Sequence, residues 1–350
     1  MAGLQELLTR AVTEGVVPGA AGLVARDGGV EIASAGDLEP DSIVRIASIT
    51  KPITAAAVML LVDDGLVALG DPISRWLPEL AAPKVVRTPE SALSDVVEAA
   101  RPITVEDLLA FRAGWGFPAD FSLPAVAELF HRLPVFGAKE GPDEWLATLA
   151  SVPMLHQPGE AWLYNTCSDI QGVLVARIAG RPISEFLAER IYEPLGMTDT
   201  GFYVPPSKLD RLPSLDGPIG KDALKPPPIF SSGAGGLVST LGDWQRFGEM
   251  LLSGGGGLLS PKSVEKMTTD HLTQEQRAAS TLFLEGAGWG YGGSVGPGAR
   301  YGWVGGTGTT AHVDPALGAV GILLTQKQMT GPTPTPLMRE FWAYAFRARS

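Results

Sequence analysis

The chain has one cysteine, Cys167, in 350 residues, which excludes an internal disulfide framework. Its four histidines, His131, His156, His271 and His312, are scattered without the close spacing of a zinc site, so no metal is expected. Positive charge is also scarce. With 27 Lys and Arg against 38 Asp and Glu, the formal net charge is −11. Nucleic-acid grooves and anionic membrane surfaces both need clustered cations, so neither partner is expected. No charge-free apolar run reaches membrane-spanning length. The N-terminal stretch MAGLQELLTRAVTEGVVPGAAGLV lacks the basic flank and apolar core of a secretion signal, so the expected location is cytoplasmic. What remains is an ordinary globular composition, 45% hydrophobic and 19% charged. Single cores stop growing near ~250–300 residues, so this length predicts two lobes.

The hydrophobic pattern changes character twice. Residues 3–15 have the spacing of an amphipathic helix, and GAAGLVARDGG with VEIASAG predicts a strand pair turned at Asp27–Gly29. From Gly70 to about Phe230 the chain reads as helical pieces divided by Pro- and Gly-rich loops. The longest of these loops, VPPSKLDRLPSLDGPIGKDALKPPPIFSS, has the length of one that lines a site. TLGDWQRFGEMLLSGG predicts a helix capped at Thr240. RYGWVGG, TTAHVDP and GAVGILLTQ then predict three strands, closed by a helix from about Pro334 to Ala348. The expectation is an α+β fold: residues 1–72 and 231–350 form a sheet domain built from both ends of the chain, and 73–230 form an inserted helical domain.

The candidate chemistry lies in VRIASITKPITAAAVMLLVDDG, residues 44–65. From Thr54 to Val62 the run is almost wholly apolar, as in a helix buried around most of its circumference. A lysine in such a place either finds partners or gives up its proton. Lys51 follows Ser48 by three residues, so on one helix the amine would lie a turn from the hydroxyl and could take its proton. With the helix beginning near Ser48 and Pro52 in its first turn, unpaired N–H groups and the helix dipole would favour a developing alkoxide. Three other patterns carry no such context. Ser263 and Lys266 repeat the spacing in SPKSVEKM, but among polar residues, as on a surface helix. GGSVG, residues 292–296, fits a nucleophile elbow around Ser294, yet no helix follows it. GTGTTA, residues 306–311, has dinucleotide-fingerprint spacing but runs into a strand.

The stretches VRIASITKPITAAAVMLLVDDGLVALGDPISRWLPE, PITVEDLLAFRAG, QPGEAWLYNTCSDIQGVLVARIAGRPISEFLAERIYEPLGMTDTGF, SSGAGGLVSTLGDWQRFGEML and GWVGGTGTTAHVDPALG follow one another along the chain. In that order they resemble the serine β-lactamase-like proteins. The resemblance is nearest to the family VIII carboxylesterases, which are similar to class C β-lactamases and D-alanyl-D-alanine peptidases. It implies a β-lactamase/transpeptidase-like fold, an antiparallel sheet flanked by helices with a mostly helical insertion, and no cofactor. The family's second motif begins with a tyrosine, here Tyr164. Its third lies on a strand beside the nucleophile, here Trp303, Val304 and Gly305, expected to border substrate. Ser48, Lys51 and Tyr164 are then the expected catalytic residues. The backbone N–H groups of Ser48 and, by the resemblance, Gly306 are the expected oxyanion donors.

The departures from the pattern favour one activity. Lactamases and peptidases usually open the third motif with Lys or His followed by Thr, which hold the substrate carboxylate; Trp303 and Val304 cannot pair with an anion. The expected substrate is therefore a small ester with short-acyl or aryl groups. A β-lactamase, a D-amino-acid amidase or peptidase, an acyltransferase and a non-catalytic ligand-binding relic are the alternatives. The second motif commonly ends in Asn; here Asn165 comes one place early and Thr166 takes the usual position, which leaves both outside the expected catalytic set. FRAGW, residues 111–115, stands where HTSGL is more usual. Cys167 reads as a small buried apolar residue.

Overall fold

The computed structural model describes residues 3–134, 140–213, 224, 226–325 and 327–347. Helix α1 (Leu4–Thr13) buries Leu4, Leu7, Leu8 and Ala11, the i, i+3, i+4, i+7 stripe of an amphipathic helix. Strands β1 (Gly19–Arg26) and β2 (Gly29–Gly36) form the expected hairpin. Its two-residue turn has positive φ at Asp27 and Gly28, which matches the twist of the strands. β3 (Val44–Arg45) and α2 (Lys51–Asp63) follow, and the middle of the chain then supplies β4 (Lys84–Val86), β5 (Val96–Glu98), α3 (Val105–Leu109), α4 (Pro124–Arg132), α5 (Pro142–Ala150) and α6 (Thr166–Ala179). Helix α7 (Ile183–Leu187) runs through a π-helical turn into α8 (Glu193–Leu195). Next come β6 (Val238–Ser239), α9 (Leu241–Leu252), α10 (Pro261–Thr268), α11 (Gln274–Ala279) and α12 (Thr281–Leu284). The chain closes with β7 (Gly288–Trp289), β8 (Ser294–Val295), β9 (Tyr301–Gly305), β10 (Thr309–Asp314), β11 (Ala319–Thr325) and α13 (Pro336–Ala345).

Seven of these strands make one antiparallel sheet in the order β2-β1-β11-β10-β9-β8-β7. The second strand of the chain is thus separated from the last by β1 alone, and the sheet draws on both ends of the sequence. Both faces of its centre are covered. Gly22 and Gly321 face α1 and α13, where an added Cβ would meet Leu4 and Ala345. Val320, one place from Gly321 and so on the opposite face, packs against Gly248 of α9. β10 and β11 are accordingly buried throughout, and β11 reads as a nearly continuous apolar run. Helix α9 is capped as expected, with Thr240 Oγ1 accepting from Asp243 N.

Two details differ from the sequence reading. The middle is helical but also holds the β4–β5 hairpin, whose three-residue strands are too short to show an alternating pattern. The C-terminal helix begins at Pro336 and ends at Ala345. Of the long loop before Ser232, Pro206–Arg211 form a 3-10 turn, while residues 214–223 and 225 lie outside the described residues. Among the described residues no helix is long and apolar enough to cross a membrane. Nor, among them, do three or more His, Cys, Asp or Glu gather as metal ligands would.

Candidate active site

Ser48 sits in a 3-10 turn, Ala47–Thr50, and the α-helix itself starts only at Lys51, with Pro52 in its first turn. The expected helix start near Ser48 is therefore corrected by three residues. A 3-10 turn eclipses i and i+3, which suits this pair better than an α-helical turn. Lys51 Nζ lies 2.9 Å from Ser48 Oγ. The residue before Ser48, Ala47, has φ +46, a left-handed conformation that strains a residue with a side chain. Ser48 itself is half-buried, so its hydroxyl remains reachable.

Every residue of α2 from Lys51 to Leu61 is buried, and Lys51 is 0% exposed. Its ammonium would have lost its water, and burial pushes the amine down from 10.5 to about 7, while Asp169 works in the opposite sense. Three oxygens surround the nitrogen: Ser48 Oγ, Asn165 Oδ1 at 2.9 Å and Ala234 O at 2.6 Å. Asp169, on the first turn of α6, accepts from Ser232 Oγ at 2.7 Å and from Ala234 N at 3.1 Å. Burial raises its carboxyl above the ordinary range, against those hydrogen bonds and the nearby amine.

Tyr164 joins the same group. Its ring lies 4.6 Å from Lys51 Nζ. Its phenol is pushed up to about 12 by burial, opposed by hydrogen bonds with Ser48 and Trp303. Trp303 Nε1 donates to Tyr164 Oη at 2.7 Å, so the indole expected to border substrate also holds the phenol in place. Phe111, Trp162, Phe283 and Trp303 all pack around the Tyr164 ring, with centroids 4.9–6.3 Å away. A cavity of about 510 Å³ borders Trp303 and Val304 and is also lined by Phe283, Val295, His312 and Trp342. His312 is pushed down to about 3 by burial, so it lines that cavity uncharged. Neither that cavity, which reaches the site only through Trp303 and Val304, nor a second one of about 680 Å³ between α6, α7 and residues 198–205 is lined by Ser48, Lys51 or Tyr164.

The third-motif strand comes against the turn that carries Ser48 because Gly305 has no side chain. A Cβ there would lie 2.4 Å from Ile46 O and 2.1 Å from Thr309 Oγ1. Thr309 Oγ1 in turn donates to Ile46 O at 2.8 Å, tying β10 to the same turn. Gly306 follows at once and is exposed.

The patterns set aside in the sequence have other work. Ser263 Oγ donates to Asp63 Oδ1 at 2.7 Å, and Ser294 Oγ to Gly302 O at 3.0 Å. Ser294 lies on β8, followed by a 3-10 turn rather than a helix. Cys167 is buried, and burial pushes its thiol up to about 12, out of reach as a nucleophile. Asn165 and Asp169 were missed as members of the site. Asn165 failed the spacing test, and nothing in a single sequence marks Asp169 among the acidic residues of exposed helices.

A serine hydroxyl, a buried amine and a phenol in mutual contact, on a sheet-and-helix frame of this topology, define the class of the β-lactamase-like serine hydrolases. Residues 4–341 match the Beta-lactamase family, and the chain belongs to it. Protein Rv1367c of Mycobacterium tuberculosis is 39% identical over 318 residues, covering 83% of this chain and 78% of that protein. Esterase EstB of Burkholderia gladioli is 28% identical over 396 residues, covering 98% and 95%. Among solved structures, EstCE1, a hydrolase with promiscuous acyltransferase activity, superposes with a TM-score of 0.82 at 22% identity, covering 98% of this chain and 97% of its own. This is a serine hydrolase of the β-lactamase-like family, with esterase, acyltransferase and peptidase relatives.

Proposed function

We propose that the chain is a cytoplasmic carboxylesterase that cleaves small esters of short-acyl or aryl type through an acyl-enzyme on Ser48. The observation that carries the reading is the 2.9 Å contact between Ser48 Oγ and the buried Lys51 amine, which is deprotonated above about pH 7. The neutral amine takes the Ser48 proton as Oγ attacks the ester carbonyl. The carbonyl oxygen gathers charge facing the N–H groups of Ser48 and Gly306. As the intermediate collapses, the C–O bond to the alcohol breaks, and Tyr164 passes a proton to the departing oxygen while regaining one from Lys51. Water then attacks the acyl-enzyme, giving its proton to the same pair, and the acid leaves with Ser48 restored. Burial keeps the phenol of Tyr164 protonated at neutral pH, so the amine is the base and the phenol the carrier.

Trp303 and Val304 offer no cation to a carboxylate; the cavity beside them is bounded by Phe283, Trp342 and an uncharged His312, and the two arginines on its wall, Arg277 and Arg300, are paired with Asp270 and Asp314. Neutral esters suit that wall, whereas carboxylate-bearing β-lactams and peptides do not. The aromatic rings packed around Tyr164 give an apolar wall against which an alcohol can take the place of water as the acyl acceptor, a second outcome of the same acyl-enzyme. EstCE1, named for such promiscuity, has the same fold.

Turnover of p-nitrophenyl acetate and butyrate, set against a chromogenic cephalosporin, tests the reading. Ester cleavage is expected to exceed cephalosporin cleavage by about 100-fold or more in kcat/KM, equivalent to about 2.7 kcal/mol of barrier. Added alcohol is expected to divert part of the acyl group to a new ester. Ser48→Ala should remove the acyl adduct seen by intact mass and lower kcat by about 10⁴-fold or more. Equal or faster cephalosporin turnover, or an adduct that survives Ser48→Ala, would refute it.

A further inference from the structure

The Lys51 amine has three oxygen neighbours, and two of them, Asn165 Oδ1 and Ala234 O, can only accept hydrogen bonds. A neutral amine carries two hydrogens and one lone pair. The two acceptors claim both hydrogens, so the lone pair is left for the third neighbour, the hydroxyl of Ser48. We infer that Asn165 is a positioning residue of the reaction: with the Ala234 carbonyl, its carboxamide oxygen locks the neutral Lys51 amine with its lone pair on the Ser48 O–H. The inference rests on the Ser48–Lys51 reading given above.

The backbone supports it independently. Asn165 has φ +82 and ψ −65, and Thr166 N donates to Tyr164 O across it at 3.2 Å. That is a γ-turn of the rare, strained hand, which a residue with a side chain adopts only where its surroundings hold it there. Asn165 is 6% exposed, and the turn sends its carboxamide back to Lys51 while the chain enters α6 at Thr166. The turn also explains why an asparagine one place early in the motif still reaches the amine.

The titratable groups facing Lys51 are Tyr164, from the segment before α6, and Asp169, from α6 itself. Neither replaces the acceptor that Asn165 supplies. pH–rate profiles for ester hydrolysis test the idea. Asn165→Ala removes an acceptor that the ammonium form also uses, so the acidic limb should move below its parent position while kcat falls about tenfold or more. Asn165→Asp keeps the oxygen and adds charge, so the limb should move up by about one pH unit or more, with plateau kcat returning to within a few-fold of the parent. Asn165→Gly should behave as Ala in rate and limb while relieving the left-handed strain, which keeps the test valid if the alanine variant folds poorly. Unchanged limbs in the Ala and Gly variants overturn the inference, whether kcat holds or falls. A phosphonate label read by mass on the parent separates the two claims: a label on Ser48 with unmoved limbs rejects only the role of Asn165, and a label elsewhere rejects the Ser48 reading itself.

Discussion

At the scale of the residue, the site is a problem of one proton among groups that burial has pushed toward neutrality. In water a lysine amine and a tyrosine phenol titrate near pH 10, so neither would be a useful base at neutral pH. Here burial moves them apart, the amine down to about 7 and the phenol up to about 12. In the proposed reaction Lys51 is neutral when it accepts the Ser48 proton, so kcat/KM should rise with pH through about 7 and then hold level into the alkaline range, as a pH–rate profile would show. Trp303→Phe keeps the ring but loses the indole N–H that reaches Tyr164 Oη. The loss of one such bond is worth about 0.5–1.5 kcal/mol, a fall of about two- to twelve-fold in kcat, which steady-state kinetics would detect. A rise in KM larger than the fall in kcat would assign the indole to substrate instead. The sequence made Ser48 and Lys51 legible because their spacing and apolar flanks are local facts. It hid Asn165, whose contact with Lys51 depends on a γ-turn that no spacing rule contains, and Asp169, whose neighbours Ser232 and Ala234 lie more than sixty residues away.

At the scale of the element, the nucleophile is placed by three pieces that meet at one turn. The 3-10 turn presents Ser48, α2 buries Lys51, and β9 closes the side with its last residues. The boundary between turn and helix was misread because Pro52 suits the first turn of either, and only the structure shows that the regular helix waits until Lys51. The long strands β1 and β11 were legible from their apolar runs, whereas β4 and β5 hold three residues each and show no periodicity to find. Gly305 is the point where β9 comes against the turn, and Ile46 O, a backbone atom, leaves no room for a side chain. Gly305→Ala should push β9 outward, with a loss of about 1–3 kcal/mol in unfolding free energy and a fall in kcat larger than that in Tm would suggest. Chemical denaturation paired with kinetics measures both; a variant of parental stability and rate would show that the close approach is dispensable.

At the scale of the whole molecule, charge and architecture set what can reach the site. The chain carries a formal charge of −11, and the strand beside the nucleophile opens with Trp303 and Val304. An anionic ester should therefore meet repulsion that salt relieves, while a neutral one should not. Rates measured at about 0.02 and 0.5 M salt should show kcat/KM rising for a carboxylate-bearing ester and staying flat for p-nitrophenyl butyrate. A neutral substrate with the stronger salt dependence would contradict this account.

The sheet order has a consequence for synthesis on the ribosome. β1 needs β11 as its second neighbour, and the strand that walls the nucleophile is not translated until residue 301. A nascent chain that already carries Ser48, Lys51 and Tyr164 thus holds a hairpin whose β1 edge is still bare, and an unfinished pocket. Such edges invite pairing with other chains, so release of the last strands completes the pocket and covers the β1 edge in the same event.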